Sequence, residues 1–207
     1  MKIFYFLTYV FLSFFYFIPV NAENAHIGLK YGISSHNIDT TVSGATIDEE
    51  DEGFLFEAGS FIGSNWGLEL IYYDLGTAKI TGSVGDSFTT NSTPYHFDTA
   101  GTVEVDTTGY GLGIFGSSSG DSLFGFNIAL GAHNWNREGS TNLLSDNTTI
   151  DDRLFNDGVD LYASLGASMN LFDIVELTVD YDTFGFSDTA GLDQTQDLVS
   201  IGFRSRF

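Results

Sequence analysis

The last residues of the chain alternate with a period of two. Val199, Ile201, Phe203 and Phe207 fall on one face, and Ser200, Gly202, Arg204 and Arg206 on the other. A two-residue period is the signature of a β-strand. Seven earlier stretches repeat it, most with polar, charged or glycine residues on one face. Any fold open to this chain must house an apolar face and a polar face on each of eight strands.

The first stretch, Ala25 to Ser34, sets Ile27, Leu29, Tyr31 and Ile33 against His26, Gly28, Lys30 and Gly32. The second, Gly53 to Ile62, sets Phe54, Phe56 and Ala58 against Leu55, Glu57 and Gly59, and the third, Trp66 to Asp74, sets Leu68, Leu70 and Tyr72 against Glu69, Ile71 and Tyr73. In the fourth, Val103 and Val105 belong to one phase and Tyr110, Leu112 and Ile114 to the other, so a bulge is expected near Thr107 to Gly109. The fifth runs from Phe124 to His133, the sixth from Val159 to Asn170 and the seventh from Val175 to Asp182. Connections alternate in length, short near residues 63, 119 and 172 and long over 35–52, 75–102, 136–157 and 185–196. Membrane barrels have this asymmetry of short periplasmic turns and longer extracellular loops. The long segments are rich in Asp, Thr, Ser, Asn and Gly, so they are expected to be solvated and mobile rather than packed.

Residues 1–22 read as a cleaved export signal: Lys2 supplies the positive start, Ile3 to Ile18 is almost wholly apolar, and Val20-Asn21-Ala22 offers small residues for cleavage before Glu23. The apolar run is short of the ~20 residues a spanning helix needs, and no later run reaches that length, so insertion into a bilayer must use strands. Residues 23–207 suit one domain. A net charge of −21 with no basic stripe argues against nucleic acid as a partner. The absence of cysteine excludes a disulfide scaffold, and two prolines among 24 glycines fit long hydrogen-bonded strands.

The charges decide between two all-β readings. Lys30, Glu57, Glu69, Asn127, Asp160, Glu176, Asp180 and Arg204 all sit on the second faces. A secreted soluble sandwich would turn those faces to water and pack the Leu, Val and Phe faces together. A membrane barrel turns them into a narrow lumen, where charges can pair, and gives the apolar faces to lipid. Export, loop asymmetry and aromatics near strand ends (Tyr31, Trp66, Tyr72, Tyr110, Tyr181 and Phe207) favour the barrel. The expected fold is an eight-stranded antiparallel up-and-down transmembrane β-barrel.

The segments WGLELIYYDLGTAK in strand three, LGAHNW in strand five and DLVSIGFRSRF at the end together resemble the transmembrane barrel of the outer membrane protein A superfamily over residues 23–207. The resemblance implies a multi-pass protein in the outer membrane of a Gram-negative bacterium. It also implies delivery by periplasmic chaperones and the barrel assembly machinery, with Phe203 and Phe207 as the assembly signal, although Ser205 stands where the family commonly has an aromatic. Many full-length members add a peptidoglycan-binding domain; here the barrel alone is expected, as a monomer in contact with outer-membrane lipid and lipopolysaccharide. Family barrels carry a charged cluster across the lumen, and Glu69 matches its strand-three glutamate. The usual basic positions hold Ile114 or Phe115 and Thr178 here, so Lys30 and Arg204 are expected to substitute in a structural network of Lys30, Glu57, Glu69, Asp180 and Arg204.

No cofactor, metal or catalytic site is expected. The run Asp48 to Glu52 could collect divalent cations but reads first as a solvated loop, because its spacing matches no defined calcium loop. His26, His36, His96 and His133 stand in no recognisable nucleophile-base-acid order, which argues against a lipid-A-modifying enzyme. The expected role is structural or weakly pore-forming, with a narrow channel, a loop-based adhesin and a lipid-A enzyme as the alternatives. If the leader is read correctly, amino-terminal sequencing of the exported protein starts at Glu23, and a start at Met1 refutes the cleavage.

Overall fold

The computed structural model describes residues 25–37, 40–90, 93–118, 122–141, 156–172, 174–187 and 193–206. The export signal and Phe207 lie outside them. Twelve strands follow in chain order: β1 (Ala25–Asn37), β2 (Thr40–Ser43), β3 (Thr46–Asp48), β4 (Glu50–Phe61), β5 (Trp66–Gly82), β6 (Ser87–Thr90), β7 (Thr93–His96), β8 (Gly101–Ser117), β9 (Phe124–Thr141), β10 (Asp157–Phe172), β11 (Val175–Ser187) and β12 (Asp193–Arg206). Eight of them, β1, β4, β5, β8, β9, β10, β11 and β12, pair antiparallel with their chain neighbours, and β12 returns to β1. One sheet closes on itself, so the sandwich is excluded.

The register sets the tilt. Followed once round through printed partners, His26 pairs with Gly59, then Glu69, Gly113, Gly131, Tyr162, Phe184 and Gln196, and returns to β1 at His36, ten residues further along. Ten residues at ~3.3 Å against eight strands at ~4.8 Å tilts the strands about 40° from the barrel axis. With that tilt Tyr31, Phe54, Tyr72, Tyr110 and Tyr181, all on the outer wall, fall within about 6 Å of one height, an aromatic girdle at the long-loop end. Trp66 marks the other end. The wall between is inverted relative to a soluble protein: Phe126 is 71% and Phe203 60% exposed, while Lys30 is 3% and Glu57 2%. Such a wall is stable only against acyl chains.

Above the girdle the solvent on the outside changes from lipid to water, and the pattern changes with it. Strand β8 keeps a single phase, with Val103, Val105, Thr107, Gly109 and Phe115 all turned inward. The bulge expected in this strand is instead in its partner, where Leu75 and Gly76 of β5 together oppose Thr107. Val103 and Val105 lie inward because, beyond the lipid, the apolar residues are the ones that must be hidden. Val103, Val105 and Ile80 pack with Ala45, Phe88, Tyr95 and Phe97 in a second apolar cluster under a small sheet of β2, β6 and β7. The first two long connections are therefore packed, contrary to the expectation of solvated loops. Much of the last two lies outside the described residues.

Gly76 adopts a positive φ of 72°, and a Cβ there would lie 2.6 Å from the Glu52 carbonyl oxygen. Asp51 pins the bulge by accepting hydrogen bonds from the backbone N–H groups of Thr77 at 2.7 Å and Glu52 at 2.8 Å. Partial burial pushes the Asp51 carboxyl up, but these two bonds outweigh it and hold the group below the usual carboxylate range. Their contribution is complete above the ordinary Asp value and is lost as pH falls through the lower folded value. Gly76→Ala should cost about 1–3 kcal/mol through strain and backbone contact, read as a lower urea midpoint of the folded barrel. An unchanged midpoint would show that the bulge is not a constraint.

Candidate functional site

Inward-facing positions divide the lumen into two storeys. The lower holds charge. Lys30 of β1 places Nζ 3.1 Å from Asp182 Oδ1, and 3.5 Å from both Glu57 Oε2 and Asp180 Oδ1. Arg204 of β12 donates from Nε to Glu57 Oε1 at 2.5 Å and from Nη1 to Asn127 Oδ1 at 2.9 Å, with Glu176 at 3.8 Å. Arg206 places Nε 2.8 Å from Glu176 Oε1, lies over the Phe61 ring and donates to Ser117 Oγ at 2.7 Å. Glu57 is thus shared by both cations.

Of the residues expected to form a network, Lys30, Glu57, Asp180 and Arg204 come together, while Glu69 stands apart. It accepts a hydrogen bond from the Tyr162 hydroxyl at 2.9 Å, and among the described residues no ion pair reaches it. Asp182, Glu176, Asn127 and Arg206 complete the cluster. All four stand on the same inward faces as Glu57, Asp180 and Arg204 by period-two alternation; their proximity depends on the barrel's ten-residue stagger, which the sequence does not display. Phe203 faces outward on β12.

The upper storey is a plug of Leu55, Tyr73, Trp135, Phe184, Phe186 and Leu198, all buried. Its polar atoms are spent internally. The Tyr73 hydroxyl donates to His133 Nδ1 at 2.6 Å, and His133 Nε2 donates to the Gly185 carbonyl at 2.9 Å. Trp135 Nε1 donates to Asp160 Oδ2 at 2.9 Å, and the Arg137 guanidinium lies 4.4 Å from the centre of the Phe186 ring. Between the storeys a void of about 10 Å³ is lined by Lys30, Glu57, Glu69, Asn127, Tyr162 and Arg204 among others. That is roughly the room one water needs.

The chemistry for catalysis is weakly represented. Ser34 Oγ and His36 Nε2 come within 3.4 Å, but both are buried and both are engaged by the Leu75 carbonyl that the bulge turns inward. His26 is enclosed by Phe61 and Phe115, and His96 sits on β7. The acidic run is not one loop: Asp48 ends β3 and Glu50 begins β4. Among the described residues no group of three or more histidines or carboxylates is arranged to hold a metal.

No family model and no curated protein matches the sequence. Solved structures match the fold. Neisserial surface protein A aligns with a TM-score of 0.54 at 12% identity, over 88% of this chain and 97% of the other. The outer membrane protein OprG from Pseudomonas aeruginosa gives 0.52 at 11% identity, over 89% and 98%. The fold is the closed eight-stranded antiparallel barrel that the resemblance implied. The short turns lie at one end of this barrel, and the β2–β6–β7 sheet stands beyond the other.

Because Glu57 serves two buried cations, Glu57→Ala should cost about 3–5 kcal/mol, whereas Glu69→Ala, which strands only the Tyr162 hydroxyl, should cost about 1–3 kcal/mol. Heat-modifiable gel mobility and urea midpoints give the order. Equal, parental values for both variants would deny the charged storey a structural role.

Proposed function

We propose that this protein is a structural, non-enzymatic barrel of the outer membrane, closed to free diffusion, that carries a packed extracellular platform. The observation that carries this reading is the filled lumen. A charged storey with room for roughly one water stands below a plug of buried aromatics. Among the described residues these side chains occupy the lumen at both levels, which supports closure to solutes.

The platform supports a role at the cell surface. Its own apolar cluster holds the β2–β6–β7 sheet in place, and an ordered surface of this kind presents contacts at lower entropic cost than a loose loop. Its expected surroundings are lipopolysaccharide and outer-membrane lipid, with chaperones and the assembly machinery as partners in transit and a monomer as the resident form. The buried, carbonyl-bound Ser34 and His36 support the non-enzymatic reading.

In planar bilayers the purified protein should give no stepwise conductance. The combined substitution Trp135→Ala, Phe184→Ala and Phe186→Ala should raise ion leakage by thinning the plug. Discrete openings in the parent protein would replace this reading with a channel, and altered lipid A by mass spectrometry in an expressing strain would replace it with an enzyme.

A further inference from the structure

The signs of the lower-lumen charges are segregated by strand. All three cations come from the two strands that meet at the barrel's seam: Lys30 from β1, and Arg204 and Arg206 from β12. The carboxylates that face them all come from elsewhere, Glu57 from β4 and Glu176, Asp180 and Asp182 from β11. Two of the cations reach past their seam partners, while Arg206 pairs with Glu176 on the adjacent strand β11. Arg204 crosses β1 to bond Glu57, and Lys30 crosses β12 to bond Asp182 and approach Asp180.

Both crossings pass over a glycine. In the seam register Arg204 lies opposite Gly28, and Lys30 opposite Gly202. A Cβ on Gly28 would stand 2.5 Å from Glu57 Oε1 and 2.7 Å from its Cγ, and one on Gly202 would stand 3.0 Å from Lys30 Cγ. The two missing side chains are the clearance through which the ion pairs run. The arrangement is reciprocal: a cation on each edge strand, a glycine on the other edge strand beneath it, and a carboxylate one strand beyond.

We propose that these residues form a crossed clasp that selects and closes the seam between first and last strands during barrel assembly. Before closure, an open sheet has an acidic inner face and a cation on each edge. A cation on one edge satisfies its charge across the seam only when the other edge arrives in the native register, because a two-residue slip moves the glycine from beneath the ion pair. Coulombic attraction then favours one closure over pairing with a foreign strand. This goes beyond the closed-barrel reading and does not depend on whether the lumen conducts.

The chain contains no cysteine, so paired cysteines can report strand meeting. One pair, Ile33→Cys with Val199→Cys, reports the seam; a second, Leu112→Cys with Ala132→Cys, reports the β8–β9 hairpin. Both are read as disulfide formed against time, with oxidised glutathione as the oxidant, while the full chain refolds from urea into phosphatidylcholine vesicles. Lys30→Gln and Arg204→Gln should each slow the seam reporter by about tenfold or more and leave the hairpin reporter within about twofold. Glu57→Gln combined with Arg204→Gln should be no slower than Arg204→Gln alone, as coupled partners require. Glu69→Gln, outside the clasp, should leave the seam reporter at the parental rate. Equal slowing of both reporters, a parental seam rate, or multiplicative slowing in the double variant overturns the proposal. If Arg204→Gln blocks folding outright, Glu57→Gln alone is decisive: selective slowing of the seam supports the clasp, and anything else refutes it.

Discussion

Two buried cations and a half-buried third, facing four carboxylates inside a wall whose outside is lipid, are the constraint on which the rest of the structure turns. Neither membrane nor bulk water can solvate these groups once the sheet has closed. They must pair with one another, because a buried charge stripped of its partner is strongly destabilising. The glycines at 28 and 202, the small Ser200, and the sharing of Glu57 between Lys30 and Arg204 all follow from fitting charged side chains into a lumen of eight strands. Holding these charges inside is also what leaves the outer wall free to be apolar.

Height along the barrel axis explains the remaining chemistry. Ion pairs occupy the lower lumen and aromatic rings the upper, and above the girdle the apolar residues of β5 and β8 gather beneath the β2–β6–β7 sheet. The bulge at Leu75 and Gly76 sits at the transition, with the Leu75 carbonyl turned toward Ser34 and His36. A local irregularity thus joins the membrane barrel to the packed platform above it.

Much of the fold was legible in the residues. Alternation placed Lys30, Glu57, Glu69, Asp180 and Arg204 on inward faces, and short and long connections alternated as an up-and-down barrel requires. The site was legible as a list of faces and not as a set of contacts. Glu69, expected in the charge network, bonds Tyr162, while Asp182 and Arg206 join the network in its place. The fourth strand misled for a related reason. Val103 and Val105 share the inner phase with Gly109 and Phe115, but reading apolar as outward holds only where lipid is the solvent.

The sequence by itself determined that eight strands would form, which face of each would be charged, and that a bilayer rather than a core would take the apolar faces. These are local properties, set by period-two geometry and by the cost of burying unpaired charge. Tertiary structure decided which charges meet. The ten-residue stagger that brings His26 round to His36 determines that Arg204 faces Glu57 across Gly28 and that Lys30 finds β11 across Gly202. Stagger is a property of the closed sheet, fixed when all eight registers are satisfied together, so no single strand can encode it.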